Sequence, residues 1–323
     1  MSMQEISEVT WVDASHMSVD NSVVQKLGRL IEAARITAEL TEGMRVALKI
    51  NTAEDGYEFG LRPVFYRVVA EAVRRAAGAG ALLCDGLKLV DYWRRAKGTS
   101  FMDIARGRGY IDAAIGGSLV INGGFSGDEG NIYQLALPDA VLGGVEVGSA
   151  VCRSDALLVL SHVTLHPLFG VSGALANGGF ECLVGRERLR VLDGLDPYPF
   201  DGRKLPSDKL AVFQRRALEG NLGVREALEA RAVYINYLWD VTPQPEYFPF
   251  SFNPVFPNLG FLASRDPVAL DAATYALLAE GPGGFRAGFD PVQEMTGVDF
   301  PAVLGRAEAL GVGSRDYTVQ QLS

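Results

Sequence analysis

The sequence predicts an α/β protein: a mostly parallel sheet with helices on both faces and an aromatic, proline-rich loop over the crevice at one end. Three observations carry this expectation. Short, uniformly apolar runs read as strands buried on both sides. They alternate with longer stretches of helical periodicity. At 323 residues and 48% hydrophobic content, the chain can bury a sizeable core.

The elements follow in order. "MRVALKI" (44–50) and "ALLCDG" (81–86) are strands, and between them "RPVFYRVVAEAVRRAAGAG" repeats its apolar residues at helical spacing and ends on glycines. "SLVING" (118–123) and "ALLVLSH" (156–162) are further strands, with a helical region expected over "AVLGGVEVGSAVC" (140–152). The glycine run "NGGFSGDEGN" (122–131) carries Asp128 and Glu129, which would repel a phosphate, so it reads as a loop. A Pro- and Asp-rich connector spans 192–210; then come a helix over 211–233 and a strand over 233–242. "PQPEYFPFSFNPVFPNLG" (243–260) has too many prolines for regular structure and reads as an ordered loop. "SRDPVALDAATYALLAE" (264–280) is a helix with Asp266 at its N-cap and Pro267 at its first position. Residues 301–319 add one more helix and a strand or tail. In domain terms, 1–190 is the main α/β region and 191–323 a connector plus a second α/β portion packing on the same core.

Composition narrows the function. A formal net charge of -9 and a pI near 5.0 argue against nucleic acid, whose phosphates demand a basic face. Cys84, Cys152 and Cys182 are odd in number and widely spaced, so neither a disulfide framework nor a thiolate zinc site is expected. No apolar run approaches the roughly 18 to 20 residues that span a bilayer. The N-terminus lacks the basic and apolar regions of a signal peptide. The reading is a cytoplasmic protein whose partner is a small molecule; its oligomeric state is not legible.

In an open parallel sheet, ligands bind beyond the carboxyl ends of the strands. Polar groups stand at each expected end: Lys49 and Asn51, Asp85, Asn122, His162, and Asp240 after "INYLW". His162 and His166 could face one cavity across a turn or on one helical face, where imidazoles suit acid/base work. A metal ligand role is a weaker reading of that pair. Just downstream, Gly170, Gly173, Gly178 and Gly179 could present backbone donors as an anion-binding nest. Cys182 is a small buried hydrophobe, or a nucleophile if a neighbour such as Arg186 depresses its pKa. Trp93, Trp239, Tyr247, Phe248, Phe250 and Phe252 are core or site walls.

The segments "SDALLVLSHVTLHPLFGVSGALANGGFEC" and "LGFLASRDPVALDAATYALL" resemble the family catalogued as domain of unknown function 362. Its members show His-Phe-Lys-x-His, a glycine turn ending in Ala-Leu-Lys-Asn and a cysteine, and later Ser-x-Asp-Pro-Val-Ala-x-Asp. His162, His166, Asn177 and Cys182 match, whereas Thr164 and Ala176 stand where the family has lysines. The iron-sulfur branch carries a ferredoxin-like cysteine insert, replaced here by the cysteine-free connector, and a Cys-Asp-Cys where this chain reads Gln244, Pro245, Glu246, Tyr247. The resemblance therefore implies the family's crevice scaffold without its cluster, so no cofactor and no metal are expected.

The leading expectation is a cofactor-independent isomerase, lyase or cyclase. His162 or His166 would move a proton beside Asp85, and Lys49, Asn177 or backbone donors near Gly173 would stabilise charge. Asn51, Trp239, Asp240, Tyr247 and Cys182 complete the expected substrate contacts. The Arg-, Ala- and Gly-rich composition resembles high-GC bacteria and suggests specialised metabolism. The alternatives are a binding protein without chemistry and a degenerate metal or cluster protein. Asp266 and Asp271 are expected to be structural.

Overall fold

The computed structural model describes residues 6–15, 18–89, 97–196, 205–280 and 290–322. Its main sheet has eight strands in the order β12-β1-β11-β10-β7-β2-β3-β4. In chain order these are β1 (Ser7–Val12), β2 (Val46–Lys49), β3 (Leu82–Gly86), β4 (Ser118–Asn122), β7 (Ala156–His162), β10 (Ala232–Leu238), β11 (Gly260–Ser264) and β12 (Tyr317–Leu322). Only β11 runs against the rest. Two small antiparallel pairs stand apart: β5 (Gly130–Gln134) with β6 (Gly144–Gly148), and β8 (Thr164–His166) with β9 (Gly170–Ser172).

The eleven helices used below are α1 (Val23–Ala33), α2 (Pro63–Ala77), α3 (Lys97–Gly107), α4 (Asp112–Ile115), α5 (Ser149–Cys152), α6 (Ala174–Gly178), α7 (Gly185–Leu192), α8 (Ser207–Ala227), α9 (Pro267–Glu280), α10 (Pro291–Thr296) and α11 (Phe300–Ala309). Every residue of β2, β7 and β10 is buried, which is why these strands are apolar without alternation. Their side chains still divide by parity. Leu158, Leu160 and Leu48 join α1, α2 and α3 on one face, while Leu157, Val159 and Ala47 join α6, α8, α9 and α11 on the other. The α/β class is therefore as expected, and the loop after β10 covers the carboxyl end of the sheet because reversed β11 must begin there.

One expected element is different. Residues 140–152 form β6 and the single turn α5 instead of a longer helix. Gly143 takes φ 67°, closing a hairpin, and Val145 and Val147 face the core while Glu146 between them pairs with Arg186. That is a period of two, and it is too short to separate from helical spacing by eye. The strands β1 and β11 also carry no strong sequence signal, being short pieces flanking the sheet's one reversed connection. Among the described residues, no helix is long and apolar enough to cross a membrane.

Asp266 caps α9 as expected: Oδ1 accepts from Val268 N at 2.8 Å and Ala269 N at 3.0 Å. Its Oδ2 accepts from Ser7 Oγ and Ser314 N, each at 2.8 Å, so one carboxylate ties α9 to β1 and to the turn before β12. Replacing it removes a cap and two tertiary hydrogen bonds. Asp266→Ala should lower unfolding free energy by about 2–3 kcal/mol in urea titration. A loss below about 0.5 kcal/mol would show the carboxylate to be dispensable.

Candidate active site

The strand order reverses between β2 and β7, since β3 and β4 extend the sheet to one side and β7 and β10 to the other. Such a switch point opens a crevice at the carboxyl ends. Asp85, in β3, is the most heavily engaged group there. Lys49 Nζ lies 3.0 Å from its Oδ1 and Lys88 Nζ 2.6 Å from its Oδ2. Thr52 N and Oγ1 donate to Oδ2 at 2.8 and 2.7 Å, and Gly86 N to Oδ1 at 2.9 Å. Burial alone would raise the Asp85 pKa, but the two ammonium groups and the hydrogen bonds hold it well below the usual carboxylate range. Burial likewise works against the Lys49 ammonium; the Asp85 carboxylate and, after it, Glu181 together outweigh it and raise the pKa.

Lys88 leads from this cluster into a narrow cleft of about 10 Å3, lined also by His166, Glu181, Arg188 and Tyr247. That is room for about one water. Arg188 is almost fully buried; its Nη1 donates to Glu181 Oε2 at 2.9 Å and its Nη2 to the Leu87 carbonyl. Gly86 makes space for it, because a Cβ there would stand 3.1 Å from Nη2. His166 Nδ1 accepts from Leu168 N at 3.0 Å and Phe169 N at 3.3 Å, which assigns the ring proton to Nε2. No hydrogen-bond partner for Nε2 stands among the described residues. Burial pushes the His166 pKa down to about 3, so the ring is a neutral N–H donor rather than a proton shuttle near pH 7. Tyr247 stacks edge-on against it, ring centroids 5.6 Å apart, and begins an aromatic run through Phe248, Phe250 and Phe252.

The other expected residues are placed differently. His162 is fully buried beneath the crevice: Nε2 donates to the Trp239 carbonyl at 2.7 Å, and Nδ1 lies 2.8 Å from Glu246 Oε1, at ion-pair distance but off the direction of a hydrogen bond. Asn51 bridges the His162 N–H at 2.9 Å and Asn177 Oδ1 at 2.8 Å, fastening β2, β7 and α6 together. The Trp239 ring lies on the other side of the sheet, stacked on Phe261, and Asp240 pairs with Arg62 at 3.0 Å; neither lines the cleft. Trp93 falls outside the described residues.

The glycine turn is not an open anion nest. Buried Asp271 already accepts from Ala174 N at 2.7 Å, Leu175 N at 2.9 Å and Asn236 Nδ2 at 2.8 Å. Gly173 is required by this approach, since a Cβ there would stand 2.2 Å from Asp271 Oδ1. Burial raises the Asp271 pKa to about 6 against the pull of those donors. Cys182 is equally occupied, its thiol donating to the Asn177 carbonyl at 3.2 Å and pushed up to about 12 by burial, so it is no nucleophile. Arg186, its supposed activator, is engaged with Glu146.

Of the residues singled out in the sequence, the structure brings Lys49, Asp85, His166 and Tyr247 to this cluster and cleft, beside Lys88, Glu181 and Arg188, which the sequence did not single out as site residues. The Asp85-to-Lys88 spacing of three past a strand end was the available signal; Glu181, in the turn Phe180–Cys182, and Arg188, in α7, border the cleft only through tertiary packing. An iron-sulfur cluster does not fit these residues, because it needs about four thiolates and the chain has three cysteines, of which Cys84 and Cys182 are buried as high-pKa thiols. Among the described residues, no group of three or more His, Cys, Asp or Glu is arranged to hold a metal ion.

Comparison with known proteins is consistent with the sequence motifs. The profile described as domain of unknown function (DUF362) matches residues 46–276. Among solved structures, the chain is similar to the lactate racemase apoprotein from Thermoanaerobacterium thermosaccharolyticum, with TM-score 0.45 and 11% identity over 86% of this chain and 57% of that one. A protein from Thermotoga maritima gives TM-score 0.40 and 13% identity over 78% of this chain and 57% of that one. The chain spans a little over half the length of each. No curated protein gives a significant match.

His166 has a measurable consequence. The unfolded chain takes up its proton near pH 6.5 and the folded one only near 3, so the stability tied to neutral His166 is present above pH 6.5 and lost as pH falls toward 3. His166→Asn keeps an acceptor at the Nδ1 position and does not titrate. Between pH 7 and 5 the wild type should lose about 2 kcal/mol more stability than this variant, by denaturant titration at both pH values. Equal losses would mean the imidazole protonates freely in the folded state.

Proposed function

The chain belongs to the DUF362 family, and on that premise we propose that it is a small-molecule enzyme of the isomerase, lyase or cyclase type, working by proton transfer. The family's description assigns no activity, so the reading comes from the site. One observation carries it. A water-sized cleft at the switch point of the sheet gathers two buried cations, Lys88 and Arg188, a carboxylate, Glu181, and the neutral N–H donor His166.

These groups suit a substrate with a carboxylate or carbonyl next to an acidic C–H bond. Lys88 and Arg188 would hold the oxygen on which negative charge develops, and His166 Nε2–H would add a hydrogen bond to it. Glu181 would accept the proton from carbon, its electron pair passing to the held oxygen. Return of the proton to another face or carbon gives an isomer; expulsion of a group from the neighbouring carbon gives elimination. Lys49 and Asp85 act behind this layer by fixing Lys88, so both are positioning residues rather than the catalytic residues expected from the sequence. A second reading, in which the protein holds a small ligand without changing it, rests on the same two cations and the His166 donor.

The test is deuterium incorporation from D2O into a panel of small 2-oxo, 2-hydroxy and unsaturated carboxylic acids, followed by proton NMR. Exchange into at least one acid is expected, with Glu181→Gln and Lys88→Met each slowing it by about 10²-fold or more. Saturable binding without exchange would replace catalysis by ligand carriage. Exchange unaffected by both substitutions would move the chemistry elsewhere.

A further inference from the structure

The cleft has room for about one water, whereas any carboxylic acid with a C–H bond to break is far larger. Part of its wall must therefore move when a substrate enters. Lys88 follows β3, His166 ends β8, Glu181 lies in the turn Phe180–Cys182 and Arg188 in α7, each held by the contacts described above. Tyr247 is the only lining residue, among the described residues, that comes from the loop after β10.

Within that loop, residues 245–251 form an arc whose base is closed separately from its top. At the base, Gln244 Oε1 accepts from Phe252 N at 3.1 Å, and the Gln244 carbonyl accepts from Tyr57 Oη at 3.0 Å. The arc itself rests on the segment after β2. Glu54 N donates to the Glu246 carbonyl at 2.8 Å and Glu58 N to Ser251 Oγ at 3.0 Å. Gly56 allows this seating, since a Cβ there would stand 2.0 Å from the Pro249 carbonyl oxygen. Of the arc's three rings, Tyr247, Phe248 and Phe250, only Phe248 is fully buried, so lifting the arc uncovers little apolar surface. Its deepest attachment is the Glu246 carboxylate, 3% exposed and 2.8 Å from Nδ1 of fully buried His162 in β7.

We propose that residues 245–251 are a lid that lifts to admit the substrate, with Tyr247 as its inner face and the Glu246–His162 pair as its latch. Burying both charges costs much of what their attraction returns, and lifting the arc rehydrates the carboxylate. The latch therefore holds the lid shut without locking it. Closure returns the Tyr247 ring to His166 and excludes water from the cations beside it, where a dry site strengthens their hold on developing charge. The purpose of the lid rests on the reaction proposed for the cleft; its motion does not.

Motion is read on the full chain without substrate, in two ways. One is amide hydrogen exchange by NMR. The other is alkylation by iodoacetamide, followed by mass spectrometry, of a thiol placed in the cleft wall by Leu192→Cys; Leu192 is 3% exposed and lines the cleft. The Glu54 amide, covered by the arc, should exchange faster than the amides of β7, which report whole-chain unfolding. Alkylation at position 192 should likewise outpace the rate that unfolding allows. Glu246→Gln weakens the latch and should speed both processes by the same factor, about tenfold or more. Tyr247→Ala leaves the latch in place, and it should speed alkylation more than Glu54 exchange. A Glu54 amide as slow as β7, alkylation that does not follow Glu54 exchange in Glu246→Gln, or alkylation unchanged by Tyr247→Ala would overturn the lid. Lack of deuterium incorporation into the acid panel would remove the reaction and leave the lid standing.

Discussion

The Asp85 carboxylate is the interaction on which the crevice depends. It is buried, and it accepts from two ammonium groups, two backbone N–H groups and a hydroxyl. Removing one partner of such a buried cluster costs about 3–5 kcal/mol, because the remaining charges lose their compensation. The cluster is also a geometric device. Lys49 comes from β2, Thr52 from the segment after it, and Lys88 from the segment after β3, so Asp85 fixes two loops and aims one ammonium toward the cleft. Burial works against charge on Asp85 and Lys49; for Asp85 the two cations and the hydrogen bonds together outweigh it, and for Lys49 the surrounding carboxylates together do so.

A second carboxylate layer organises the far wall. Asp266 and Asp271 stand near the start of α9 and serve neighbouring structures: the first gathers β1, α9 and the turn before β12, and the second caps α6. The Asp-Pro-Val-Ala-Leu-Asp segment, the most specific part of the family resemblance, is thus a packing motif. Its acidic residues replace the external anion that a glycine turn and helix start might have recruited, and Gly173 is the opening through which Asp271 reaches the backbone.

Much of this was legible from the sequence for physical reasons. Strands buried on both faces must be uniformly apolar, so β2, β3, β7 and β10 announced themselves, and a strand end is where a parallel sheet exposes polar groups; Lys49 and Asp85 followed. What was not legible required three dimensions. Nothing in "VTLHPLF" reveals that His166 Nδ1 turns back to two amides, which converts a supposed acid/base residue into a neutral donor. Trp239 and Asp240 follow a strand end, but the pleat sends the indole to the opposite face and an Arg62 from α2's start claims the carboxylate. Glu181 and Arg188 lie seven residues apart with unremarkable neighbours, and only the folding of the turn Phe180–Cys182 and of α7 beside β3 makes them an ion pair near Lys88.

The central claim is that Asp85 holds a charged lysine pair in a buried crevice. It is tested most directly by 13C NMR of the lysine Cε resonances, assigned by Lys49→Arg and followed from pH 7 to 11. The account predicts that Lys49 remains protonated past the ordinary lysine value of 10.5, because Asp85 and Glu181 together outweigh its burial. A Lys49 midpoint below 10.5 would mean that desolvation wins and that the cluster does not carry its charge.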